Sequence, residues 1–225
     1  MFARSTVFLC CVFTIQIVAA AEKDYKVEAL EEQPPDALSD AIRDTLTPAG
    51  LRILQPDGEV LCDLWLAKAA DARPGFKPSS SVKYPFVRGA LVGALRFPEE
   101  GGHDFREQVI PGGMYTLRYA QQPVDGNHLG TSEFQDFLAL LPAGKDKNSA
   151  ALADFELEET SKQSTEGGTH PGILSLQPPS PKPPASARVK RKGDYWVLNT
   201  QLGGKAKEET LQIGLDLVVV GHAIE

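Results

Sequence analysis

The stretch Thr210–Val220 constrains the fold more than any other part of the chain. Leu211, Ile213, Leu215, Leu217 and Val219 alternate with other residues, so an extended backbone puts all five on one face. That period of two predicts a β-strand with a buried side, and Val218 and Val220 predict that its end is covered on both faces. The same period recurs upstream. Val60, Cys62, Leu64 and Leu66 share a face, as do Tyr115, Leu117 and Tyr119, and Ala90–Phe97 and Phe134–Leu141 are apolar runs of strand length. Turn chemistry separates the runs: Pro56-Asp57-Gly58, Pro111-Gly112-Gly113, Pro142-Ala143-Gly144 and Gly193-Asp194. Asp57-Gly58 between two apolar runs is a hairpin signal, because glycine accepts positive φ without steric cost. Many short strands divided by Gly/Pro turns predict an all-β fold. The expected architecture is an antiparallel β-sandwich, immunoglobulin-like or jelly-roll-like, with one or two short helices.

Two segments break the strand period. Leu38, Ile42 and Leu46 are spaced as one helical stripe behind a potential cap at Asp36, and Pro48 and Gly50 end it. Ala150–Lys162 is rich in helix formers, with Leu152, Phe155 and Glu159 expected on one side and Gly167-Gly168 as the stop. Residues 177–186 hold Pro178, Pro179, Pro181, Pro183 and Pro184, a density that excludes a sheet interior and predicts an extended surface connection. Arg188–Lys192 is basic, but next to Gly193-Asp194 and Tyr195–Leu198 it reads as the solvated first strand of a hairpin. The expected organisation is a signal peptide at 1–21, a charged leader at 22–35, and a single β-sandwich domain at 36–225 with a Pro-rich loop at 177–186.

The compartment is read from the first residues. Arg4 precedes an apolar run from Val7 to Val18, and Ala19-Ala20-Ala21 then gives a small-residue cleavage pattern ahead of Glu22-Lys23-Asp24. This is the layout of a secretory signal peptide, and the run is short for a membrane span of about 20 apolar residues. An uncleaved N-terminal anchor is the alternative. Cleavage after Ala21 removes Cys10 and Cys11 and leaves Cys62 as the single thiol, on a core-facing position, so no internal disulfide is expected. The product is expected to be exported, periplasmic or extracellular, with no membrane span after cleavage.

The formal net charge of −7 argues against a nucleic-acid partner, since phosphate recognition needs a basic surface. The signatures of the common enzyme classes are missing. There is no GxxxxGK[ST] loop, no GxGxxG after a strand, no HExxH and no GxSxG elbow.

One polar stretch stands out, Tyr119 to Ser132, between two predicted strands. Tyr119, Gln121, Gln122, Asp125, Asn127 and His128 offer donors and acceptors of several kinds, and Gly126 and Gly130 let backbone approach a partner closely. The plain alternative is a turn made by Asp125-Gly126-Asn127, with His128 capping a carbonyl. The four histidines, His103, His128, His170 and His222, all sit beside Gly, Asn or Pro, where loops are expected. His128 with His170 or His103, and with Asp125 as a carboxylate ligand, could hold zinc or copper if the loops converge. Their spacing matches no short-range ligand pattern.

The strand Pro111-Gly112-Gly113-Met114-Tyr115-Thr116-Leu117-Arg118-Tyr119 followed by Asp125-Gly126-Asn127-His128-Leu129-Gly130 resembles uncharacterised exported bacterial β-sandwich proteins with a PGxYTLRY strand ahead of a DGNHLG loop, and Val218–His222 is similar in flavour. The resemblance implies an exported β-sandwich and no particular activity. With no catalytic signature and one dense polar loop, the expected function is a non-enzymatic binding module with its contact loop at 121–132, facing a small ligand or a cell-envelope protein. The alternative is a metal-binding protein or metal-dependent enzyme centred on His128.

Overall fold

The computed structural model describes residues 24–122 and 134–223. The predicted signal peptide and the Asp125–His128 loop lie outside the described residues. In chain order the strands are β1 (Lys26–Leu30), β2 (Gly50–Leu54), β3 (Val60–Leu66), β4 (Ala70–Asp71), β5 (Leu91–Phe97), β6 (Gly102–His103), β7 (Val109–Ile110), β8 (Gly113–Gln121), β9 (Asp136–Pro142), β10 (Gly172–Gln177), β11 (Arg188–Lys192), β12 (Tyr195–Ala206) and β13 (Glu209–Val220). Helix α1 (Asp40–Arg43) follows β1, and α2 (Asp154–Lys162) follows β9. The fold is all-β.

An 11-stranded sheet runs in the order β1-β2-β3-β5-β8-β9-β10-β13-β12-β11, with β4 pairing β12 off that path, and β6 and β7 form a separate ribbon. Every neighbour along the path is antiparallel. The strands curl into a half-barrel instead of the two clear layers expected of an immunoglobulin-like or jelly-roll-like sandwich. The turning point is β10. Gly172 to Ser175 pair with β9, and Leu176 and Gln177 pair with β13, so one short strand belongs to both halves. Register shifts at Ile53/Leu54, Leu91/Gly93 and Trp196/Val197 add bend, as bulges do. The halves also meet through β4, which pairs in parallel with Gly204 and Lys205. Gly203 permits that approach: a Cβ there would lie 2.1 Å from the Lys68 carbonyl oxygen.

The concave face holds one continuous apolar cluster drawn from both halves, including Ile53, Leu64, Leu117, Leu140, Leu198, Leu215 and Leu217. The expected faces of β3, β8 and β13 supply it, and Cys62 is buried within it, where burial pushes the thiol pKa far up and leaves it inert. The hairpin at Asp57-Gly58 forms as expected. Gly58 sits at φ +97°, and the Asp57 carboxylate accepts the Glu59 N–H at 3.0 Å. Leu38, Ile42 and Leu46 are buried as a stripe, but the helix is shorter than its spacing implies. Asp36 pairs with Arg43 and does not cap, the N-cap position being Ser39.

The segment expected to be a charged leader is part of the fold. Lys26–Leu30 pairs along its length with β2, and the chain then passes over Trp65, whose Nε1–H donates to the Glu32 carbonyl at 2.8 Å. Its charges hide the reason. Glu32 joins a ladder in which Arg52, Asp63 and Arg96 lie side by side on β2, β3 and β5. Asp63 accepts from Arg52 Nε at 2.7 Å and from Arg96 Nη2 at 2.6 Å. Burial pushes the Asp63 carboxyl up, but the two guanidinium groups together outweigh it and hold the pKa below the usual carboxylate range. A carboxylate with a folded pKa below its unfolded value of about 3.9 contributes stability that is full above that value and is lost as pH falls through the folded pKa. Acid unfolding of the chain is therefore expected to steepen below about pH 4. In Asp63→Asn that part of the acid limb flattens, which urea midpoints taken across pH 2–6 would measure.

The Pro-rich segment has a topological task. Strands β10, β13, β12 and β11 lie in that order, a Greek key in which the chain must cross from β10 to the far edge before returning. An extended, polyproline-like run rises about 3.1 Å per residue and needs no hydrogen-bond ladder, so it suits a crossing over a sheet face. The crossing passes over Gly214, where a Cβ would lie 2.9 Å from Pro183 Cγ. Ser180 Oγ donates to Asp216 Oδ2 at 2.8 Å and anchors it. The far edge, β11, is largely exposed and carries Arg188, Lys190, Arg191 and Lys192, a charge pattern that discourages strand addition.

Candidate functional site

On the convex face, Ala120, Ala139 and Leu141 of β8 and β9 form a second, smaller apolar cluster with Leu152 and Leu157. Helix α2 lies over it. The helix turns Leu157 and Ser161 inward and leaves Phe155 79% exposed, so the face expected from Leu152, Phe155 and Glu159 is not the one that packs. The reason is register. The helix begins at Asp154, after Leu152, so Leu152 belongs to the incoming loop and sets no helical stripe. The Ser161 hydroxyl donates to the Gly172 carbonyl at 3.2 Å and fixes the end of α2 against β10.

The loop that delivers α2 is held by a buried ion pair. Arg118 and Asp146 are 0% and 1% exposed at their side chains. Arg118 Nε and Nη2 donate to the two Asp146 oxygens at 2.6 and 2.9 Å. Nη1 donates to the carbonyls of Gly89 and Ala150, and Nη2 also to that of Asn148, so all five guanidinium donors are used. Gly89 sits at φ +77°, and a Cβ there would lie 2.0 Å from the Leu152 carbonyl oxygen.

Between α2 and the sheet a groove of about 500 Å³ remains. Its floor is apolar: Ala120, Phe137, Ala139, Leu157 and Ile173. Its rim is polar. Gln121 and Gln122 lie at one side, and Arg88, Arg106, Lys162 and His170 with Asp154 and Glu158 lie around it. Arg88 is paired with Asp154 at 3.1 Å and Lys162 with Glu158 at 2.9 Å. Such a cavity, mostly apolar with a few convergent polar groups, has the size and make-up of a small-molecule site.

The polar stretch singled out in the sequence is thus divided. Gln122 borders the groove, whereas Gln121 reaches its edge but turns its side-chain amide to the Tyr119 face. Tyr119 points to the opposite face, fully buried against Phe86, with its hydroxyl donating to Asp136 Oδ1 and accepting from Gln121 Nε2 at 2.7 Å. Its polar atom is committed inside the fold and offers nothing to a ligand. Burial pushes the Asp136 carboxyl up, against the lowering pull of the Tyr119 hydroxyl and the Lys83 and Tyr84 N–H groups. Asp125, Asn127 and His128 lie outside the described residues. Of the proposed metal ligands, His103 is on β6 and His170 lines the groove. His222 sits 3.7 Å from Glu107, and no group of three metal-ligating side chains converges among the described residues.

The groove itself was not legible in the pattern, because its two walls are separated in sequence and Arg106 carries no motif. No protein-family model, curated protein or solved structure matches this chain.

Proposed function

We propose that this chain is an exported, non-enzymatic binding protein that holds a small ligand in the groove between α2 and strands β8, β9 and β10. The observation that carries this reading is the apolar floor of Ala120, Phe137, Ala139, Leu157 and Ile173 under a polar rim, in a space of about 500 Å³. The groove extends to Gln122, in the expected contact loop at 121–132, which supports that loop as a further part of the contact. The Greek-key order at β10 to β13, and the core shared by both halves, support a kinship with jelly-roll-like sandwiches, with the two layers joined through β10. The likeness to exported proteins with a PGxYTLRY strand belongs to the same reading, as does cleavage after Ala21. The exported chain should then start at Glu22 by intact mass.

A thermal-shift screen of small amphipathic compounds tests the site. Ala139 is buried on the groove floor, so Ala139→Trp fills the space. Compounds at about 100 times their Kd should stabilise the native chain by about 2.7 kcal/mol, or several degrees, and should leave Ala139→Trp unmoved. Equal shifts in both proteins would exclude the groove.

A further inference from the structure

Arg106 is the one groove cation with no ion pair or side-chain hydrogen bond among the described residues, and the backbone that carries it is fixed by several hydrogen bonds. It sits in the turn between β6 and β7, and the turn is built on Asp104, which is 3% exposed. Asp104 Oδ1 accepts the backbone N–H groups of Arg106 and Gln108 at 2.8 and 2.9 Å. Its Oδ2 accepts the Ile173 N–H at 3.0 Å and Gln108 Nε2 at 2.8 Å, tying the turn to β10. Glu107 takes φ +60°, a conformation that costs a non-glycine residue energy and persists only because these bonds over-determine it. Gln108 Nε2 also reaches the Pro171 carbonyl, which sets the turn beside His170.

Of the groove cations, Arg88 is paired with Asp154, and Lys162 with both Glu158 and Glu159. Among the described residues the half-buried Arg106 is the groove cation left without a carboxylate. A planar guanidinium matches a carboxylate with two parallel hydrogen bonds. The apolar floor beside it asks for a hydrocarbon body, and the volume suits a single chain.

We infer that the groove binds a single-chain amphipathic carboxylate, with its head group on Arg106 beside His170 and its hydrocarbon chain along Ala139, Phe137 and Leu157. This rests on the groove being the ligand site. No bond is made or broken; the inference concerns binding alone.

Isothermal titration of the mature chain with octanoate, octanol and octylamine tests it, using the native protein, Arg106→Gln and Ala139→Trp. Octanoate should bind the native chain at least about tenfold more tightly than octanol, a difference of about 1.4 kcal/mol, and octylamine should be the weakest. Arg106→Gln should erase the preference for octanoate while keeping octanol binding, and Ala139→Trp should abolish both. Raised salt should weaken octanoate only. Octanol binding as well as octanoate, with Arg106→Gln unchanged, would overturn the carboxylate assignment and leave the groove standing. Binding that survives Ala139→Trp would remove the groove as well, and no octanoate binding at all would overturn the inference outright. Circular dichroism of Arg106→Gln, expected to match the native chain because the turn is built on backbone bonds to Asp104, separates loss of binding from loss of fold.

Discussion

Asp146→Ala is expected to destabilise the chain by about 3–5 kcal/mol, the cost of leaving a buried charge without its partner. Arg118 is 0% exposed at its side chain and cannot reach water when the carboxylate is removed. Its remaining acceptors are the carbonyls of Gly89, Asn148 and Ala150, which are neutral. Thr116 loses the acceptor for its hydroxyl as well. The effect reaches the site, because the loop that carries Asp146, Asn148 and Ala150 leads into Leu152 and α2, one wall of the groove. Urea unfolding should show a lower midpoint, and ligand-dependent stabilisation should fall with it. The double replacement Arg118→Met with Asp146→Leu removes both charges and should recover much of the loss. A deficit under about 1 kcal/mol in Asp146→Ala would mean that the pair is hydrated and does not hold the loop.

Trp65→Ala, in the other half of the sheet, is expected to cost about 3–5 kcal/mol. Trp65 is 0% exposed and fills the space against Gly50, where a Cβ would lie 2.9 Å from the indole nitrogen. The Arg96 guanidinium lies over its ring, 5.2 Å from the centroid, and its Nε1–H holds the Glu32 carbonyl. The substitution therefore opens a cavity and releases the segment that carries Glu32. Trp65→Phe keeps most of the ring volume but strands that carbonyl, so a smaller loss of about 1–3 kcal/mol is expected. Guanidinium unfolding midpoints would order the three proteins as native, Phe, Ala. Equal stability of the Ala variant would show that residues 31–34 do not pack on the sheet.

These two positions mark how much the sequence disclosed. The apolar alternation in β3, β8 and β13 points directly to the concave core, because a period of two has one meaning when the chain is extended. Asp57-Gly58 names its own turn. The leader was obscured by charge: Lys26 and Glu28 read as solvated, yet an edge strand needs partners only on one side, and Glu32 is satisfied by Arg96 on a strand 64 residues away. The curl was hidden for a similar reason. It depends on β10 pairing with β9 through one half and β13 through the other, a choice that no local pattern encodes. At the groove, polarity and loop position single out Gln122 and His170 in the sequence, the latter as a metal ligand and not as a groove residue. Tyr119 is no contact residue in the fold: its alternation with Leu117 puts it on the core face, and the buried acceptor Asp136 supplies the partner its hydroxyl needs. Arg106 gives no signal, because its place comes from a turn built by Asp104 and from having no ion pair among the described residues.

The central claim is that the groove between α2 and the sheet is where this protein meets its ligand. The most direct test is a crystal structure of the protein with the compound that stabilises it most in the thermal screen. The account predicts that compound on Ala120, Phe137, Ala139, Leu157 and Ile173, with any anionic group at Arg106. A compound found elsewhere, on the open face of β12 and β13 or along the Pro-rich crossing, with the groove empty, would contradict it.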